Sequence, residues 1–489
     1  MSAYRNHIAG WRDAESGRTF RRTDPADRRR EVGEFADSSA ADVDRAVTEA
    51  VVAQRGWAAR SPIDRARVLA RAAALLDAAA GDLGAVITAE EGKTRVEAAG
   101  EVVRAAEVFD YVAALARLPE GGVFASSRPE VTLRTMRRPL GAVAVITPFN
   151  FPVFVPSFKL AAALVAGNSV VWKPSPVTPL TGIRVLELLL EAGLPAGVIG
   201  YVTGASAEPG EALVSHPGIA AVSFTGSGAV GGLVERGCAE RGIRAQVEMG
   251  GNNAAVVLAD ADLELAAAAV VDGAFSGTGQ KCTATRRVYV ERGVADKLVE
   301  LVGARAAALR VGPGTVADTE IGPLATDAAA TRVEEAVARR VDAGAQLAVG
   351  GHRPTAAALR HGCYFEPTVI LERESDPAGL REEVFGPVVG IQEVADETEA
   401  LELTNATPFG LCASVFTDNL HAAERFARRA VVGVVNINLP TTGIEPQVPF
   451  GGLKESGRGP KELGPRALDF FTHEATVAVR ARTETTTLR

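Results

Sequence analysis

Apolar positions along the 489-residue chain recur with two periods. Alanine-rich segments at 64–80, 179–191, 263–275 and 331–343 space them three and four residues apart, which predicts helices with one buried face. Short β-branched runs lie between, at 143–146, 169–172, 198–202, 220–224, 254–257 and 288–290. Runs this short and apolar on both faces suit parallel strands covered by helices, so the fold class is α/β. Gly, Pro and Asn clusters mark nearly every junction. The most apolar stretch, 142–158, carries Pro148, Asn150, Pro152 and Pro156. Prolines remove backbone donors, so this stretch is expected to be a strand entering an irregular loop, not a membrane span. The first 35 residues are polar and arginine-rich, unlike a secretory signal.

The length is that of two or more domains, with no repeat or long linker, and Gly250-Gly251 is the expected boundary. Segment 129–138 alternates, and the tail after Phe470 is short and polar. These are either edge strands that pair with another subunit or a hairpin and a frayed terminus. A composition 47% hydrophobic and 23% charged excludes disorder and collagen. The net charge of -8, with scattered arginines, argues against nucleic acid as a partner. The four cysteines form no CxxC or Cys/His pairing, so neither a metal site nor a disulfide framework is expected, and a cytoplasmic setting fits.

Gly226-Ser227-Gly228-Ala229-Val230-Gly231 matches GxGxxG, between a strand and a helix, where backbone N–H groups favour phosphate. Gly226 and Ser227 are therefore a phosphate cradle. Glu248, some seventeen residues beyond it, reads either as a ribose ligand or as a general base whose burial raises its pKa. Cys282, in the glycine-rich bend GTGQKCT, is a candidate nucleophile that the neighbouring Lys281 would favour as thiolate; a buried structural thiol is the alternative. Cys238 and Cys412 read as such buried thiols. Asn150, set between prolines, is either an oxyanion donor or a turn residue.

Together these residues fall within TPFNFP (147–152), WKPS (172–175), FTGSGAVG (224–231), EMGG (248–251), GQKCTA (279–284), EEVFGPV (382–388) and PFGGLKESG (449–457). In this set and order the chain resembles the aldehyde dehydrogenase superfamily over nearly its whole length. The resemblance implies a Rossmann-type NAD(P)-binding domain (1–116 and 141–250), a catalytic α/β domain (251–465) and a small oligomerisation β-sheet (117–140 and 466–489). It implies that Cys282 forms a thiohemiacetal and then a thioester, that Asn150 and the Cys282 N–H hold the oxyanion, and that Glu248 activates the hydrolytic water. Cofactor contacts are implied at Ile146, Thr147, Pro148, Lys173, Ser175, Gly226, Ser227, Gly231, Glu383 and Phe385. An aromatic substrate tunnel is implied at Phe151, Phe158 and Phe450, with Trp172 as packing. No metal is implied.

Pro176 stands where NAD-preferring relatives carry a glutamate that repels a 2′-phosphate, which favours NADP acceptance alongside NAD. Gly228-Ala229 also departs from the bulkier pair usual there, which blurs that preference. Phe158 and Ser276 replace the arginines by which succinate semialdehyde dehydrogenases hold their substrate's carboxylate. Segment 438–443, NLPTTG, is similar to α-ketoglutarate semialdehyde dehydrogenases. That aldehyde is the expected substrate, with a general aliphatic or aromatic aldehyde dehydrogenase, or less so a CoA-acylating relative, as alternatives. Arg286 reads as solvent-facing rather than as a positive group for the substrate. A homodimer or homotetramer is expected.

Overall fold

The chain fills two large sheets one after the other. In the computed structural model, which describes residues 3–372 and 382–480, the first sheet is eight-stranded. Its order is Trp11–Arg12, Asn6–His7, Ile199–Tyr201, Ser169–Lys173, Ala142–Ile146, Ile219–Thr225, Arg244–Glu248 and Gly457–Arg458. Neighbours from Ile199–Tyr201 to Arg244–Glu248 are parallel. Val143, Val145 and Val170 face a core shared with the helices Arg95–Leu115, Phe154–Val165 and Pro179–Glu191. Ala144, Ile146 and Val171 face Ala40–Ala58 and Gly228–Glu240 on the other side. Each fully buried valine contributes about 1.5–3 kcal/mol, which is why both faces of these strands are apolar.

The second sheet is seven-stranded, ordered Gln346–Val349, Thr368–Glu372, Val388–Val394, Thr285–Glu291, Asn253–Val257, Cys412–Phe416 and Val434–Ile437. The chain leaves the first sheet at Glu248 and enters the second at Asn253, so the change of sheet crosses Gly250 and Gly251. Gly457–Arg458 then returns to pair antiparallel with Val247 and Glu248. This short strand, in the range assigned from sequence to the catalytic domain, thus lies in the first sheet.

One expectation is corrected. The apolar stretch does not stay irregular through 158: after the strand Ala142–Ile146 and a loop, Phe154–Val165 is a fully buried helix. Pro156 is accommodated because it sits in the first turn, where its missing N–H has no partner within the helix. Of the two readings open for the tail, its described part is a strand, paired within this chain. Thr472–Arg480 pairs antiparallel with Val131–Pro139 over its full length, Thr472 opposite Pro139 and Arg480 opposite Val131. Val123–Phe124 completes a three-stranded sheet, and residues 481–489 of the C-terminal segment lie outside the described residues. Among the described residues no single helix is long and apolar enough to cross a membrane.

Candidate active site

Parallel register brings the first group of residues together. Ile146 lies opposite Lys173 and beside Phe224, and Thr225 lies opposite Glu248, so four strands end on one edge. The strand order reverses between Ala142–Ile146 and Ile219–Thr225, the position where open α/β sheets leave a ligand crevice. Thr147, Pro148 and Ser175 continue from these ends, and Gly226, Ser227 and Gly231 open the helix Gly228–Glu240. Its N-cap Ser227 accepts from Val230 N through its side chain, and the other N–H groups of the first turn have no partner within the helix. A Cβ at Gly226 would meet the Phe224 ring at 2.5 Å, and one at Gly231 would meet Met249 Sδ at 2.5 Å, so only bare backbone fits there. Burial lowers Lys173 to about 8, partly offset by Asp37. Trp172 is packing: its Nε1 donates to Thr147 Oγ1 at 2.9 Å, and its ring meets Tyr201 edge-on. A phosphate-bearing dinucleotide fits this backbone cradle with its adjacent buried lysine.

The nucleophile loop is built by three left-handed residues. After the helix Leu263–Phe275 come Gly277 (φ 62), Thr278 (φ 57) and Gly279 (φ 65). Thr278 Oγ1 donates to the Gly322 carbonyl at 3.1 Å, securing a conformation that costs a β-branched residue energy. Asn253 Nδ2 donates to the carbonyls of Cys282 at 2.7 Å and Ala284 at 2.9 Å. Arg286 is not solvent-facing. It is buried, and its guanidinium donates to Gly386 O at 2.7 Å and Gly279 O at 2.5 Å, tying the loop to the EEVFGPV segment. There Phe385 meets Phe149 edge-on at 6.0 Å, while Glu383 accepts from Gly251 N at 3.1 Å. A Cβ at Gly250 would collide with the Glu383 carboxylate, and one at Gly251 would meet Asn253 Oδ1 at 2.8 Å.

Burial pushes the Cys282 thiol up to about 12, and Glu383 and Glu248 add to the shift. The expected help from Lys281 is absent, because that ammonium donates to Ser276 Oγ at 2.6 Å and the groups acting on the sulfur are others. Alkylation of Cys282 by iodoacetamide, without cofactor, is therefore expected to rise about tenfold per pH unit from pH 7 to 9. A rate already level at pH 7 would contradict the burial.

Glu248 is buried, and burial followed by the nearby Glu462 carboxylate holds its pKa well above the ordinary value. Its Oε2 accepts from Gly452 N at 3.0 Å. Asn150 is buried too; its Nδ2 donates to Gln280 O at 2.8 Å, leaving one N–H. Cys282 and Glu248 line one cavity of about 310 Å³, with Phe151, Phe158 and Phe450 among its walls. Lys281 also lines it, as do Arg104 and Glu462, which the sequence did not single out. Lys93 was missed as well; its Nζ donates to Asn150 O. The other three cysteines are buried and free.

The chain matches the model of the aldehyde dehydrogenase family over residues 11–477. It is 38% identical over 481 residues to the alpha-ketoglutaric semialdehyde dehydrogenase of Bacillus subtilis, covering 98% of this chain and 99% of that one. It is 40% identical over 475 residues to the alpha-ketoglutarate semialdehyde dehydrogenase of Haloferax volcanii, covering 97% and 98%. Among solved structures, Staphylococcus aureus betaine aldehyde dehydrogenase in complex with NAD+ superposes with a TM-score of 0.95 at 32% identity, covering 100% of this chain and 96% of that one.

Proposed function

The chain belongs to the aldehyde dehydrogenase family, and from that premise we propose that it oxidises α-ketoglutarate semialdehyde to α-ketoglutarate with NAD(P). The observation that carries the chemistry is the shared cavity of Cys282 and Glu248. Cys282 gives its thiol proton to solvent water and attacks the aldehyde carbon as thiolate, the carbonyl π pair moving onto oxygen as the C–S bond forms. The remaining Asn150 N–H and the Cys282 N–H stabilise the oxyanion of the thiohemiacetal, each donor contributing about 3 kcal/mol. The bound nicotinamide supplies the acceptor for the hydride whose loss leaves a thioester on Cys282. Glu248 then takes a proton from water as its oxygen attacks the acyl carbon. The C–S bond breaks, the sulfur leaves as thiolate, and the carboxylic acid departs. Lys173, Ser175, Gly226 to Gly231 and Glu383 would hold the cofactor.

The names of the two relatives support the substrate, as does the NLPTTG segment. Pro176, unable to repel a 2′-phosphate, supports NADP acceptance alongside NAD. Exposed Val123 and Phe124 on the three-stranded sheet support a dimer or tetramer built through it. The free thiols suit the cytoplasm. Turnover is to be assayed on α-ketoglutarate semialdehyde, succinate semialdehyde, pentanal and benzaldehyde, with each nucleotide, with and without CoA. The expected result is a kcat/KM at least about tenfold higher for the first aldehyde, as for one charge-assisted hydrogen bond to its carboxylate, and no need for CoA. Equal rates on pentanal would overturn the substrate, and strict CoA dependence would overturn the hydrolytic step.

A further inference from the structure

Two cations, Lys281 and Arg104, stand in the wall of the catalytic cavity, among apolar side chains and the carboxyl groups of Glu248, Asp272 and Glu462. Lys281 Nζ donates to Ser276 Oγ at 2.6 Å. Its stem crosses bare backbone at Gly277, where a Cβ would meet Lys281 Cε at 3.0 Å. Arg104 comes from the helix Arg95–Leu115; it donates to the Ile444 carbonyl and lies 4.8 Å over the Phe154 ring. Among the described residues neither cation has a carboxylate within 4.0 Å, although Asp272 lines the same wall and Glu97 acts on Lys281 from farther off. Their known partners are neutral oxygens and a ring. Glu97 and Asp272 act on Lys281 from beyond contact distance, so the two neighbouring like charges are only partly compensated, and an entering anion that meets both would add to that compensation.

We infer that Lys281 and Arg104 together form the seat for the substrate's carboxylate, at the opposite end of the molecule from the aldehyde carbon that Cys282 attacks. Lys281, Arg104 and Cys282 line the same cavity, so one aldehyde that carries a terminal carboxylate can address all three. The seat replaces the charge that Phe158 and Ser276 do not supply, and Ser276 instead orients Lys281 through its hydroxyl. The aldehydes selected are short ones with a terminal carboxylate, an inference that rests on the semialdehyde reading above.

The test compares Lys281→Met and Arg104→Met with the parent enzyme on α-ketoglutarate semialdehyde and on pentanal, which has the same carbon count without the acid. The ratio of the two kcat/KM values is expected to fall about 30-fold in each variant, chiefly through KM for the semialdehyde, as for a lost charge-assisted hydrogen bond. Lys281→Arg should recover most of the ratio. Pentanal turnover by each variant reports an assembled site. The inhibition constant of α-ketoglutarate is measured beside it and should rise by a similar factor. A parent enzyme without preference for the semialdehyde, whose inhibition by α-ketoglutarate still weakens in the variants, would remove the substrate reading and leave the anion seat. Ratios and inhibition constants within threefold of the parent in both methionine variants would overturn the seat itself.

Discussion

Glu248→Gln is expected to release one equivalent of reduced nucleotide per subunit in a rapid burst and then turn over about 10²–10⁴-fold more slowly, the usual range for losing a general base. Glutamine has the shape of glutamate and can still accept from Gly452 N, so the packing against the bare backbone of Gly451 survives. It cannot take a proton from water, so acylation proceeds and hydrolysis stalls. Mass spectrometry of the mixture should show the acyl group on the peptide containing Cys282. The pH profile provides a second readout. Burial and Glu462 raise the Glu248 pKa, so the carboxyl is protonated at the low end and becomes a base as pH rises. Deacylation in the parent enzyme should therefore climb as pH rises, and this climb should vanish in the glutamine variant. Were Glu248 a ribose ligand instead, the variant would weaken nucleotide binding and show no stalled adduct.

The candidate site residues were legible where each carries a local signature. Gly226 to Gly231 and the bend before Cys282 need backbone that only small residues allow, and the prolines around Asn150 punctuate a strand end. Register did the rest: parallel pairing places the ends of four strands on one edge, so residues far apart in sequence meet. What stayed hidden depends on partners from distant segments. Arg286 in a β-branched strand looked like an ordinary surface arginine, yet Gly386 and Gly279 carbonyls hold it in the interior. Asn253 reads as a polar residue at a strand start, and nothing local shows that it holds the Cys282 carbonyl. The helix Phe154–Val165 was masked by Pro156, a helix breaker everywhere but in the first turn. Lys281 was assigned to the thiol beside it in sequence, although its bond is to Ser276, five residues back.

Lys93 is the largest effect expected away from the reacting atoms. It is buried, 2.6 Å from Glu101 Oε2, and lies 4.1 Å over the Phe151 ring. Its Nζ also donates to the carbonyl of Asn150. Glu101 uses its other oxygen to accept from the N–H groups of Val153 at 2.8 Å and Phe154 at 3.1 Å, at the start of the buried helix. One ammonium thus fixes the loop that carries Asn150 at both its middle and its end. Burial alone would lower the Lys93 pKa, but Glu101 and Glu91 outweigh it and raise it, so the group is charged at neutral pH. Lys93→Met leaves Glu101 buried without a counter-charge, which costs about 3–5 kcal/mol of stability. It also frees the Asn150 carbonyl, and a displacement of the oxyanion donor by about 1 Å lowers kcat about 10²-fold. Urea unfolding should read the first effect and steady-state kinetics the second, with kcat falling far more than KM rises because the donor acts after the aldehyde is bound. A variant that is less stable but keeps the parent kcat would show that Lys93 supports the fold without placing Asn150. Full activity at parental stability would mean that the buried ion pair does neither.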